Sequence, residues 1–256
     1  MSQFKSIRIL SVLGASEWMR LKFFYLIIFV SILFIGFSHL LSSLSFAVQE
    51  RLLFDFGLAG LEIGLVLISS LIGTHAIQRE IDRKTLLVIL ARPIPRWHIV
   101  MGAWGSLLIL NLVFTFGFTL AFVVSTGSLK LLPGFLLAAG SSLLKALVIS
   151  SFALAIGVMV RPILALGMAI CYWIFCYSLP DIKFFVQKTN DSFLIKLVDA
   201  VNEIIPKFYL FNWKNYYSVM NNPTFNEYIW AILHSFAWIL FWLFAASYFF
   251  RRKEIV

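Results

Sequence analysis

QREIDRKTLLVILARPIPRWH, residues 78–98, decides how the chain is read. Its apolar run, Leu86 to Ala91, is too short to cross a bilayer, which takes about 20 residues of helix at about 1.5 Å each. The run is also too apolar for an ordinary loop, and Arg79, Arg83, Lys84, Arg92 and Arg96 hem it on both sides. From Thr85 to Arg92 there is room for about two helical turns. Thr85 can accept a backbone N–H bond at the start, and Pro93 disfavours helix in the residue before it. Leu86, Leu87, Ile89 and Leu90 cannot all face water without making an exposed apolar patch. The spacing therefore predicts a short helix that either docks on a partner or dips into the membrane surface.

Working outward, the chain around this stretch is not that of a water-soluble globule. Of its 256 residues, 61% are hydrophobic and 13% charged, against about half and about a quarter in soluble domains. It reads as an all-α integral membrane protein forming a single transmembrane domain over 1–256. The formal charge of +9 is concentrated in particular loops, the pattern of topology setting rather than of nucleic-acid binding. Cys171 and Cys176 lie in one apolar segment without CxxC or zinc-knuckle spacing, and are read as buried, reduced thiols.

Six windows have the length and apolarity of a span: Lys22 to Leu44, Leu58 to Ile77, Ile99 to Val124, Gly134 to Val160, Ile163 to Leu179 and Tyr228 to Phe250. The first is not expected to be a cleaved signal peptide, because a charged amphipathic stretch precedes it and no small-x-small site follows. Lys5, Arg8, Arg20, Lys22, the basic residues of 78–98, Arg161, Arg251, Arg252 and Lys253 all fall on one side of this layout. Positive loops stay cytoplasmic, so both termini and residues 78–98 are expected there. On the other side, the long segment 180–227 balances its lysines with Asp181, Asp191, Asp199, Glu203 and Glu227.

Two further segments are amphipathic. Residues 4–20 set Phe4, Ile7, Leu10 or Ser11, and Ala15 or Trp18 along one face, which predicts an elbow helix lying on the inner leaflet. Residues 191–205 set Leu194, Leu197, Val198, Val201, Ile204 and Ile205 against Lys196, Asp199 and Glu203, and Pro206 ends the pattern. This second helix is expected to lie flat over the extracytoplasmic mouth. Phe208, Tyr209, Phe211, Trp213, Tyr216 and Tyr217 follow it with the composition of an interfacial belt. Anchoring, gating and docking of an extracytoplasmic partner all remain open for this region.

Lys145 is the costliest residue in the sequence. Near the middle of the fourth window, a charge costs about 2.5–3.5 kcal/mol on insertion scales, and such residues face a bundle interior or a wet cavity. Ala138, Ser142, Ala146 and Ser150 form a stripe of small residues on the same helix, and Gly60 and Gly64 form another beside Glu62. Glu62 is the expected partner of Lys145 in an internal ion pair; a substrate contact by Glu62, Lys145 and Ser142 is the other reading.

With these residues in view, the second window, the loop and the third window resemble the permease subunits of ABC-2 type exporters, particularly the NosY-like branch associated with copper-enzyme maturation operons. The matching positions are Arg79, Glu80 and Thr85 in an R-E-x-x-x-x-T pattern, then LLVIL, then Pro93 and Arg96. Two positions depart from the family's pattern: Lys84 stands where a Gly commonly precedes the Thr, and Gly102-Ala103 stands where Gly-Lys commonly opens the next span. The resemblance implies that the short helix is a coupling helix seated in a groove of a cytoplasmic ABC ATPase, with Glu80, Asp82, Arg83 and Arg96 as a polar rim. It further implies a homodimer, or a heterodimer with a similar permease, in a bacterial inner membrane, with a sulfur- or copper-related cargo. The small number of intramembrane charges points instead to a hydrophobic or amphiphilic cargo.

Nothing in the sequence carries catalysis. There is no GxxxxGK[ST] phosphate loop, no HExxH and no GxSxG, and His39, His75, His98 and His234 lie on separate segments. No cofactor or metal is expected in this chain; ATP and magnesium would be bound by the partner ATPase. The alternatives are an ATPase-independent secondary transporter or channel, which would tend to show internal repeats and broken half-helices, and a non-transporting scaffold for a cytoplasmic partner.

Overall fold

The computed structural model describes residues 3–44, 49–82, 95–127, 132–189, 191–213 and 225–253. The short helix expected at Thr85 to Arg92 and the aromatics Tyr216 and Tyr217 lie outside the described residues. Every regular element among the described residues is helical: α1 (Gln3–Met19), α2 (Lys22–Leu44), α3 (Gln49–Leu67), a π-helical turn (Ile68–Ile72), α4 (Gly73–His75), α5 (Gln78–Asp82), α6 (Arg96–Thr126), α7 (Leu132–Met159), α8 (Pro162–Lys188), α9 (Ser192–Ile204), a 3₁₀ turn (Phe208–Phe211) and α10 (Phe225–Arg252).

Among the described residues, five stretches are long and apolar enough to cross a membrane: Arg51–Asp82, Arg96–Thr126, Leu132–Met159, Pro162–Lys188 and Phe225–Arg252. α2 is a continuous helix of 23 residues, in which the described apolar stretch is Ile27–Phe37. The helices outrun the apolar windows read from the sequence. The second starts well before Leu58, because Arg51 and Asp55 sit one turn apart with Nε–Oδ2 at 3.8 Å and offset each other's charge. The fifth passes through Pro180 to Lys188 instead of stopping at Leu179. A proline removes one intrahelical bond and crowds one carbonyl, and apolar helices in lipid tolerate that when neighbours re-satisfy the backbone. The first part of 180–227 is therefore helix, not loop.

α7 is the central post. Its most apolar window is 83% buried, against 22% for α8 and 28% for α10, so α7 touches protein nearly all round while the outer helices present one face to lipid. The stripe Ala138, Ser142, Ala146 and Ser150 is buried, and small residues let neighbouring backbones come close. The closest approach is to α4: a Cβ on Gly157 would lie 2.5 Å from the Thr74 carbonyl oxygen, and one on Gly73 would lie 2.9 Å from the Ala153 Cβ. Gly57, Gly60 and Gly64 of α3 serve a different purpose. They are slots for the rings of Phe122, Phe118 and Phe114 of α6 in turn, with Phe34 of α2 also entering at Gly60. Phe122 then stacks on Phe135 of α7 with centroids 4.1 Å apart.

α1 packs along α6 through small residues together with Leu10. Ser11 and Ala15 are buried, and Leu10 and Gly14 meet Gly102 and Ser106. Ile9, Val12 and Leu13 point outward, so the apolar face free to enter a leaflet is the one opposite to the face read from the sequence. Two other expectations are corrected by burial. Phe208 and Phe211 lie in the core rather than in an exposed belt, with only Tyr209 of that trio outward. Cys171 is exposed, whereas Cys176 is buried, because the two thiols are not on the same side of α8.

Gly157→Ala forces α7 away from the Thr74 backbone and will lower the melting temperature, at a cost of about 1–3 kcal/mol. Gly140→Ala, where a Cβ meets nothing within 4 Å, will hold or raise it through helix propensity. Thermal unfolding of the two variants in the same detergent checks the contrast.

Candidate functional site

Two constellations of charged residues bear on function. The first lies within the bundle. Lys145 Nζ is 2.6 Å from Glu62 Oε1, with the side chains 4% and 12% exposed. α7 supplies the lysine and α3 the carboxylate, and the close packing of those helices brings the groups together. The Tyr177 ring of α8 lies 5.9 Å from the same Nζ, near enough for the cation to be drawn to its face. Ser142 is buried on α7, close to one turn before the lysine. A cavity of about 280 Å³ opens beside the pair between α3 and α8, lined by Asp55, Glu62, Trp173 and Tyr177 among others. The Trp173 indole N–H is buried with no hydrogen-bond partner among the described residues.

The second constellation lies at the basic end of the bundle, where residues 78–82 leave α4 and residues 95–96 enter α6. Arg96 donates through one guanidinium nitrogen to the carbonyls of Phe250, Arg251 and Lys253, at 3.3, 3.2 and 3.1 Å. These are carbonyls at the end of α10, which have no intrahelical partner of their own. Lys253 in turn donates to Gln78 Oε1 at 3.1 Å and to the Val158 carbonyl at 2.9 Å. Gln78 also donates to Asp82 at 3.1 Å. The chain end thus clasps both flanks of segment 83–94 to α7 and α10. Arg79 lies with its guanidinium carbon 4.8 Å from the Trp18 ring of α1. Glu80 is partly buried at the same end. Arg83, Thr85, Leu86, Leu87, Ile89, Leu90 and Pro93 lie outside the described residues.

Some polar partners carry a signal in the sequence. Asn111, fully buried in α6, donates to Ser69 Oγ at 3.2 Å in the π-helical turn. A lone Asn in an otherwise apolar window marks an interhelical bond of this kind. Trp242 of α10 donates to the Tyr172 hydroxyl of α8 at 3.3 Å. The Lys253 clasp had no such signal, since it joins positions 95 and 175 residues apart. At the far end, Asp191 caps α9 by accepting from the Phe193 N–H at 2.9 Å. Lys183 pairs with Asp199 at 2.8 Å, which ties α9 to α8. Among the described residues no group of three His, Cys, Asp or Glu side chains gathers.

Lys145→Met leaves the Glu62 carboxylate buried without its partner and will destabilise the protein by about 3–5 kcal/mol. Adding Glu62→Leu removes the orphaned charge and will recover most of the loss. A melting series on the two single variants and the double variant reads both effects.

The helical membrane architecture, with polar residues gathered inside the bundle and basic residues gathered at one end, agrees with the comparison to known families. No curated protein matches the sequence at significant similarity. The family model described as ABC-2 family transporter protein matches residues 58–255, which takes in α7, the Lys145–Glu62 pair and the clasp. Membership implies a multi-pass membrane permease with an ABC ATPase as its cytoplasmic partner, and permeases of this family are generally non-catalytic. The chain belongs to the ABC-2 family of transporter proteins.

Proposed function

We propose that the chain is the membrane-spanning subunit of an ATP-binding cassette exporter, moving its substrate by alternating access under the drive of an ATPase on a separate chain. ATP and magnesium belong to that ATPase. In this reading α2 is a sixth span, both termini are cytoplasmic, and the whole chain is one domain in a bacterial inner membrane. Two copies, or this chain and a similar permease, enclose the path. α1 is the elbow on the inner leaflet. α9 covers the outer mouth and is available to an extracytoplasmic partner.

The observation that carries the reading is the clasp. A segment gripped by an external motor must be fixed to the spans it is to move, and here, on the two flanks of segment 83–94, Gln78 is joined through Lys253 to the end of α7 and Arg96 donates to carbonyls at the end of α10. Thr85 caps the short helix, Leu86, Leu87, Ile89 and Leu90 enter the ATPase groove, and Pro93 ends it. Arg79, Glu80, Asp82, Arg83 and Arg96 form its rim. When the ATPase subunits close, the segment moves, α7 and α10 follow, and the cavity between protomers changes its side of access. The basic end lies in the cytoplasm by the rule that retains positive loops there.

Co-expression with candidate ATPases tests the docking: Leu87→Asp and Leu90→Asp will abolish co-purification, and normal binding by both variants refutes it. Lys253→Met will keep the ATPase bound and hydrolysing but lower transport by about tenfold, the worth of a hydrogen bond to a charged group. Transport by the purified chain without any ATPase would support a secondary carrier instead.

A further inference from the structure

At the basic end, α6 and α10 part to form an open groove of about 900 Å³. Its wall along α10 is a stripe at helical spacing: Leu240, Leu243, Phe244, Ser247, Tyr248 and Arg251. From Leu240 to Arg251 that stripe runs about 16 Å along the helix, close to half of the roughly 30 Å hydrocarbon core. The groove is therefore about one leaflet deep. Met101 of α6 faces the apolar part, and Leu243 forms a buried floor.

Among the described residues the charged end of the groove has one sign. Arg96 and Arg251 line it, and no carboxylate is among the described lining residues. Arg96 commits one guanidinium nitrogen to the carbonyls at the end of α10 and keeps the full charge. Arg251 is exposed. Arg252 lies beside them, its guanidinium carbon 4.5 Å from the Tyr248 ring. Trp97 and Tyr248 are about two-fifths exposed, at 40% and 43%, and are of the amphipathic ring types enriched where spans meet headgroups.

A channel one leaflet deep, apolar along its length and cationic only at its mouth, matches a lipid with a negative headgroup. We propose that this groove is a binding site for an anionic phospholipid of the leaflet at the basic end. The phosphate group sits between Arg96 and Arg251, and an acyl chain lies along Phe244 and Leu240. Basic pockets between spans recognise anionic headgroups through the same combination. The site does not depend on an ATPase partner, so it stands or falls separately from the exporter reading.

The full chain in phosphatidylcholine vesicles tests this, with either brominated phosphatidylglycerol or brominated phosphatidylcholine added at equal mole fraction. Fluorescence quenched in the wild type but absent from Trp97→Phe reports contact at the groove mouth. Phosphatidylglycerol will quench Trp97 more strongly than phosphatidylcholine. Arg251→Gln will lower its relative affinity about fivefold, the effect of one cation near a headgroup, and Arg251→Lys will keep most of it. Ser247→Trp fills the groove without changing charge and will abolish the preference. Equal quenching by the two lipids in the wild type overturns the proposal, as does a preference that survives in both Arg251→Gln and Ser247→Trp.

Discussion

A cation in the middle of an apolar helix has to be surrounded by protein, and Lys145 imposes that condition on α7. The ammonium meets Glu62 at 2.6 Å, and the carboxylate holds α3 against α7. Once these two helices are paired, α7 has little surface left for lipid, and the other spans assemble round it. The attraction is less a source of stability than of arrangement. Desolvating two charges costs several kcal/mol per ion, which their mutual attraction offsets only with good geometry. What the pair does ensure is that the wrong face of α7 cannot turn to the lipid, since an unpaired lysine there would be strongly disfavoured.

The contrast between the two ends of the α3–α7 region follows from side-chain size. Toward the basic end, α4 and α7 touch backbone to backbone at Gly73 and Gly157, and Thr74 and His75 bond to carbonyls of the π-helical turn, at 2.8 Å each. Toward the other end, contact is made by phenylalanine rings of α6 seated in glycine slots of α3. Backbone contacts have a single seating, because neither partner can change rotamer. A row of rings has several staggered alternatives. The basic half, seated by backbone contact, is the one that carries the clasp.

The sequence made legible what depends on local composition. Span-like windows, the cost of Lys145 and the gathering of positive residues each follow from a short window, and so did Glu62 as its candidate partner, since Glu62 is the charged group within the second window as read. Helix ends were less legible because charges can be tolerated in pairs: Arg51 and Asp55 extend α3 by supporting each other, and a window that counts charges singly stops too soon. α1 was misread for a related reason. The face carrying Leu10 or Ser11 and Ala15 or Trp18 was assigned to the leaflet, but Gly102 and Gly105 of α6 admit Leu10 and Ser11 at close range, and Ile9, Val12 and Leu13 are the apolar residues left outward. The burial of Phe208 and Phe211 had no local signal, because it depends on Tyr172 of α8 reaching the 3₁₀ turn, with its ring 6.3 Å from that of Phe208.

Arg96 illustrates why the basic end is more than a topology signal. Surface cations contribute little to stability when they merely face water, and the retention of positive loops requires only that such charges be present. Arg96 is held at a specific place, donating to three carbonyls at the end of α10. All three bonds leave one terminal nitrogen, so what the place requires is a charged donor at that reach. A topology signal depends only on the number of positive residues, whereas the joining of α6 to α10 depends on the position of one of them. The two demands fall on the same side chain because the last turn of α10 ends at the same membrane surface from which α6 starts, and its unsatisfied carbonyls are nearest to whatever cation opens that helix.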